Sequence, residues 1–291
     1  MPMQDAYKKA QVLIEALPYF QAFDEKIVVV KLGGNAMNET SLFDDTMQDI
    51  VFMEQIGIRP VLVHGGGPYI SERLKSKDIG TQFIDGLRVT DGDTLKVVDE
   101  VFREINANIR TTIIAKGGNA VSLHGASDDI LFAQKKTFPE KPELDLGFVG
   151  SMESVNVGQV LALAKAGVVP VISPLARDAD GQMYNVNADT AAAKLAEAIQ
   201  AEKLVFMSNI SGLLRNPEDA ESLLSSLTQS QVSQLIKEGV ISGGMLPKVE
   251  AALHTLSCGV QKVHIIDGRK HHSLLLEIFT SHGVGTQFVK E

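Results

Sequence analysis

Two lysines and one aspartate carry most of the chemistry that can be read from the chain. Lys31 ends the apolar run "IVVVKL" and is followed by Gly33 and Gly34. Four consecutive β-branched residues read as a strand buried on both faces of a parallel sheet. An ammonium buried there without a partner costs several kcal/mol. Lys31 therefore either escapes to solvent at the strand tip or meets an anion. Lys248 lies in "ISGGMLPKVEAALHTLSCG", where Pro247 suits a first helical turn and Val249, Ala252, Leu253 and Leu256 form an apolar stripe. The helix dipole disfavours a cation in that turn by roughly 0.3 to 1 kcal/mol. A bound anion reverses the sign, while a solvated surface lysine is the bland alternative.

Between the lysines runs "MYNVNADTAAAKLAEA", with Asp189 at a helix start. An N-cap or first-turn acid explains it without function; the alternative is a carboxylate that accepts hydrogen bonds from both lysines and fixes them. Asn185 and Asn187 precede it as neutral donors suited to a substrate. Two glycine loops, "GGNAM" after Lys31 and "HGGGPYISERLK" at 64–75, stand between a strand end and a helix start. There, backbone N–H groups and the helix N-terminus can cradle a phosphate, though a tight turn is an equal reading. Neither loop matches G-x-x-x-x-G-K-[ST] or G-x-G-x-x-G. Arg88, in "DGLRVTD", either snorkels to water or clamps a carboxylate bidentately.

These residues need a frame. "IVVVKL", "PVLVHGG", "AVSLHG", "GVVPVISP", "EKLVFMSN" and "KVHIID" are short Val/Ile-rich strands that alternate with helical stretches such as "SLFDDTMQDIVFMEQIG". The pattern predicts an α/β fold: a mainly parallel central sheet sandwiched by helices. Insertions at about 79–90, 127–153 and 174–187 read as hairpin lids above the sheet, where open α/β sheets bind ligands. A lobe boundary falls near residue 180. Residues 4–17 form an amphipathic helix with Ala10, Leu13, Ile14 and Leu17 on one face.

The 291 residues carry a net charge of −9 and are 44% hydrophobic, enough for a large core and a poor match to nucleic acid or anionic membranes. No apolar run spans a bilayer, and no signal peptide opens the chain; a cytoplasmic protein is expected. The single Cys258 excludes an intrachain disulfide and a multi-cysteine metal site. The seven histidines show no H-E-x-x-H spacing, no metal ligands are assigned, and no G-x-S-x-G elbow occurs.

In order, "VVVKLGGNAM", "VLVHGGGPYISERL", "DGLRVTD", "YNVNAD" and "ISGGMLPKVEAAL" resemble the amino acid kinase family from about residue 26 to the end. "HGGGP" with "GLRVT" and "NVNAD" resembles its acetylglutamate branch. The resemblance implies a carbamate-kinase-like fold, with residues 26–180 as the amino-acid lobe and 181–291 as the ATP lobe. It implies γ-phosphoryl transfer from MgATP, with Mg²⁺ held mainly by the phosphates, to the side-chain carboxylate of N-acetyl-L-glutamate.

Position by position, Lys31 and Lys248 match the lysines that stabilise the transferring group, and Asp189 the acid that positions them. Gly66, Gly67, Arg88 and Asn185 match substrate contacts. Gly33, Gly34, Asn209, Ser211, Gly212, Gly243 and Gly244 fall where relatives meet the nucleotide; many relatives have Asp in place of Asn209. The helix within residues 1–25 and the tail "HHSLLLEIFTSHGVGTQ" resemble arginine-inhibited members, in which the helix links dimers into a hexamer, and Glu277 is then an arginine contact. Two rivals are another acceptor within the family and a catalytically silent amino-acid sensor.

Overall fold

The computed structural model describes residues 3–33, 37, 39–216, 218–241, 245–279 and 284–291. Helix α1 (Met3–Phe23) leads into β1 (Ile27–Leu32), α2 (Thr40–Gln55), β2 (Arg59–His64) and α3 (Gly67–Ser76). The hairpin β3 (Phe83–Ile84) and β4 (Leu87–Arg88) is followed by α4 (Gly92–Ala115) and β5 (Ala120–His124). A second hairpin, β6 (Leu131–Lys135) and β7 (Gly150–Val155), precedes α5 (Gly158–Lys165) and β8 (Val169–Ser173). The third, β9 (Leu175–Arg177) and β10 (Met183–Asn185), precedes α6 (Ala188–Ala198) and β11 (Lys203–Ser208). Then come β12 (Ser226–Thr228), α7 (Gln229–Lys237), α8 (Leu246–Ser257), β13 (Lys262–Asp267), α9 (Ser273–Phe279) and β14 (Gly285–Val289).

The main sheet has the order β12-β14-β13-β11-β1-β2-β8-β5. Its six contiguous parallel strands, β13 to β5, are the six apolar runs of the sequence. Strand β14 runs antiparallel to β13 and carries β12 at the edge; neither reads as an apolar run.

Alternation along the strands divides the core into two layers. Val29, Val61, Val63 and Leu204 pack with α5, α6 and α8, whereas Val28, Val30, Leu62 and Val205 pack with α2, α4 and α9. Helix α6 buries Ala191, Ala192, Ala193 and Ala196, and side chains this small bring its axis close to the sheet.

All three insertions are hairpins. The second and third fuse into one four-stranded sheet of order β10-β9-β6-β7; bridge Thr90–Gly147 ties the first to the second, and Val149–Asn185 ties the second to the third. Helix α1 runs beyond the expected 4–17 to Phe23, through Pro18. Its last turns dock through Tyr19 and Phe20, whose rings lie 6.3 and 5.5 Å from that of Phe279. Tyr7, Val12, Leu13, Ile14 and Leu17 stay exposed. The chain itself leaves that apolar face uncovered.

Candidate active site

Period-two alternation puts Lys31 on the same face of β1 as Val29, the face covered by α6 and α8. The lysine thus leaves the core where those two helices begin. Asn187 caps α6, its Oδ1 accepting from the N–H groups of Asp189 and Thr190 at 2.9 and 3.1 Å. Capping by Asn187 frees the Asp189 carboxylate. Oδ1 of Asp189 lies 2.7 Å from Lys31 Nζ, and Oδ2 accepts from Lys248 Nζ at 2.9 Å.

Lys248 stands in the first turn of α8, so its cost at the dipole's positive end is met by this acid. Burial alone would raise the Asp189 carboxyl; the charges and hydrogen bonds of Lys31 and Lys248 overcome it and hold the group at about 2. At neutral pH the cluster carries two cations and one anion. Its surplus positive charge faces the cleft.

That cleft has a volume of about 310 Å³ and is lined by Lys31, Gly66, Gly67, Arg88, Asn185 and Asp189, among others. A second cavity of about 250 Å³ is lined by Thr190, Phe206, Lys248 and Ala251, and it shares Leu87, Asn187 and Asp189 with the first. The charged cluster therefore stands at the junction of two spaces.

Gly66, the N-cap residue of α3, is in close contact with α4: a Cβ there would lie 2.8 Å from the Phe102 ring and 2.9 Å from Ile105. A Cβ on Gly67 meets nothing within 4 Å, so this residue faces open space. His64, behind the loop, is buried with its ring edge-on to Phe102 at 5.5 Å. Burial drops its pKa to about 4, and it adds no charge.

Arg88 is buried, and its guanidinium donates to Thr81 Oγ1 at 2.5 Å, the Gly67 carbonyl at 3.0 Å and Ser71 Oγ at 2.8 Å, lying over the Phe83 ring. All of these partners are neutral. Among the described residues no carboxylate pairs with it, and desolvation lowers its pKa. Asn185 Nδ2 donates to Thr90 Oγ1 at 3.2 Å.

The family model of the amino acid kinase family matches residues 26–267. This chain belongs to the amino acid kinase family. The acetylglutamate kinase of Halothermothrix orenii is 44% identical over 290 residues, 99% of this chain and 100% of that protein. Among solved structures, N-acetylglutamate synthase from Neisseria gonorrhoeae complexed with coenzyme A and N-acetyl-glutamate superposes with a TM-score of 0.86 at 24% identity, over 97% of this chain and 63% of that one. Its complex with coenzyme A and L-arginine gives a TM-score of 0.81 at 24% identity, over 97% and 65% of the two chains. The fold expected from the sequence is thus the family's fold.

The remaining sequence candidates lie elsewhere along the same sheet edge. Gly33 follows β1, with the Met207 carbonyl of β11 against its Cα. Asn209 follows β11 and is exposed, Ser211 Oγ donates to Asp267 Oδ2 at 3.1 Å, and Gly212 is buried against Thr286. None of these four lines either cavity. Gly34, Gly243 and Gly244 lie outside the described residues.

Glu277 is buried, with Oε1 2.5 Å from His264 Nδ1 and Oε2 accepting from the Val284 N–H at 2.8 Å. Two features escaped the sequence reading. Asp267 is locked by Arg269 at 2.8 and 2.9 Å, a pair visible as D-x-R. In the "KHHS" stretch at 270–273, His272 pairs with buried Asp49 at 2.6 Å across 223 residues, for which the sequence holds no signal.

Proposed function

We propose that this chain transfers the γ-phosphoryl group of ATP to the side-chain carboxylate of N-acetyl-L-glutamate, the acyl-phosphate step of arginine biosynthesis. The observation that carries this reading is the Lys31–Asp189–Lys248 cluster at the junction of two cavities. The 44% identity to an acetylglutamate kinase over nearly the full length supports the choice of acceptor.

The acceptor lies in the first cavity, in the lobe of residues 26–180, and the nucleotide binds on the other side of the cluster, in the lobe of residues 181–291. A carboxylate with a reference pKa of about 4.3 is already ionised at pH 7, so no general base is required; neutral His64 has no proton to remove. The acceptor oxygen forms its bond to the γ-phosphorus as the bond to the bridging oxygen breaks, and the electron pair leaves on ADP. The difficulty is bringing two anions into line. Lys31 and Lys248 offset the charge on the transferring group, Asp189 holds both ammonium groups, and the N–H groups of Gly66 and Gly67 add dipoles.

Buried Arg88, without an acidic partner of its own, is matched to an acceptor carboxylate, and Asn185 adds a neutral hydrogen bond. Gly33, Gly34, Asn209, Ser211, Gly212, Gly243 and Gly244 are assigned to the nucleotide. Mg²⁺ is carried by the ATP phosphates. In support, Asp189 is the one carboxylate among the described residues lining the first cavity, and both of its oxygens face ammonium groups.

The same reading expects a cytoplasmic homo-oligomer that binds L-arginine. Among the described residues no helix is long and apolar enough to cross a membrane. The exposed apolar face of α1 supports a helix-mediated contact between dimers, giving a hexamer. For arginine, the support is a buried polar cluster at the foot of α1: Glu277, His264 and Lys203, whose Nζ lies 4.6 Å above the Phe23 ring. The synthase of the same fold was solved with L-arginine.

The deciding experiment incubates the protein with MgATP, hydroxylamine and N-acetyl-L-glutamate, with glutamate, aspartate or no acceptor as controls. Hydroxamate formed only with the acetylated acceptor is expected. Failure with every carboxylate in folded protein that binds ATP would overturn the reading, in favour of another family acceptor or a silent sensor.

A further inference from the structure

Helices α6 and α8 carry Asp189 and Lys248 at their first turns, and their far ends meet again. There Glu197 of α6 faces His254 of α8 and Cys258, the C-cap residue of that helix. His254 Nε2 is 3.7 Å from Cys258 Sγ and 3.9 Å from Glu197 Oε1, and one ligand atom from each residue falls within 4.8 Å of the other two. A thiol, an imidazole nitrogen and a carboxylate oxygen thus converge on one point. His254 is exposed, so the point is reachable from solution.

We propose that Glu197, His254 and Cys258 form a metal site for a borderline divalent ion of the zinc class, bridging α6 and α8. The Sγ–Nε2 and Nε2–Oε1 distances suit a metal. Tetrahedral zinc with bonds of about 2.3 Å to sulfur and about 2.0 to 2.2 Å to nitrogen and oxygen separates S from N by roughly 3.6 Å and N from O by roughly 3.4 Å. The present separations exceed these by half an ångström or less, within reach of a side-chain rotation. His254 and Cys258 are four residues apart on one helix, which stacks them on one face.

The neighbours fit as well. Lys194 Nζ takes only the other carboxylate oxygen, Oε2, at 2.8 Å, and Thr255 Oγ1 donates to Oε1 at 3.4 Å, as outer-shell partners of metal ligands do. Gln200 Nε2 already links the two helix ends, donating to the carbonyls of Glu197 and Cys258 at 2.6 and 3.2 Å. The junction is therefore held in place before the ion binds. A thiolate donor selects against Mg²⁺, so the ion that travels with ATP does not compete here. Three protein ligands leave a fourth position to water, and the Cys258 proton is released to solvent on binding.

The test uses Co²⁺, because the chain holds one cysteine and an intense thiolate-to-cobalt charge-transfer band in the near ultraviolet must come from it. Titrating the intact protein with Co²⁺ is expected to produce that band, saturating at one equivalent and bleached by one equivalent of Zn²⁺. His254→Gln and Glu197→Gln should each weaken the binding at least tenfold, and Zn²⁺ should raise the melting temperature of the parent but not of Cys258→Ser. Absence of the band at one equivalent would overturn the site. So would a band whose affinity is unchanged in both His254→Gln and Glu197→Gln, since the metal would then hang on the thiol alone.

Discussion

Asp189→Asn removes the anion between two ammonium groups while preserving shape. A carboxyl held at about 2 in place of the ordinary 3.8 represents about 2 kcal/mol of stabilisation of the folded chain. At about 2.1 cal/mol/K of unfolding entropy per residue, 291 residues convert that into a fall of about 3 °C in Tm. Kinetically, two lysines lose the partner that aims them, and displacement of a transition-state group by about 1 Å costs about 10²-fold. We expect kcat to fall by about 10² to 10⁴, with the KM for acceptor little changed because Arg88 is untouched.

The pH dependence follows from the direction of the shift. A depressed carboxyl stabilises the fold fully above its unfolded value of 3.8 and loses that contribution as pH falls through about 2. The Tm gap between parent and variant should therefore be full at pH 7 and reduced to about half at pH 3. The assay is hydroxamate formation for kcat and scanning calorimetry at both pH values for stability. A folded variant with kcat within about threefold of the parent, or a Tm gap that does not narrow on acidification, would refute the assigned role.

Lys31→Ala and Lys248→Ala should each lower kcat by about 10²- to 10³-fold, the usual cost of one transition-state donor, in protein whose circular dichroism is unchanged. Arg88→Gln should raise the KM for N-acetyl-L-glutamate by about 10- to 100-fold, the equivalent of one charged hydrogen bond, and leave the KM for ATP unchanged in the same steady-state assay. Gly66→Ala places a Cβ within 3 Å of Phe102 and Ile105 and should cost about 1 to 3 kcal/mol of stability by overpacking, read as a shift in the denaturant midpoint. Removing residues 1–20 should reduce the mass measured by light scattering; an unchanged mass would count against a role for α1 in assembly.

Much of this molecule is legible in its sequence. Six apolar runs became the six contiguous parallel strands, because burial on both faces leaves no other composition for them. Lys31 and Lys248 stood out because each is electrostatically misplaced in its local element, and local periodicity is what a sequence displays. The glycine loop at 65–67 and the three hairpins follow from turn chemistry in the same way.

What the sequence left open were choices between partners distant along the chain. Asp189 read equally as a cap and as a ligand for two lysines; the cap is Asn187, and the ligand role exists only because β1, α6 and α8 converge on one sheet edge. Arg88 read equally as snorkelling or clamping; the fold buries it among neutral oxygens. The edge strands β12 and β14, the fusion of two hairpins into one sheet, and the meeting of Glu197 with His254 and Cys258 share that origin. Each depends on packing between segments tens of residues apart, which residue type and spacing along one segment do not encode.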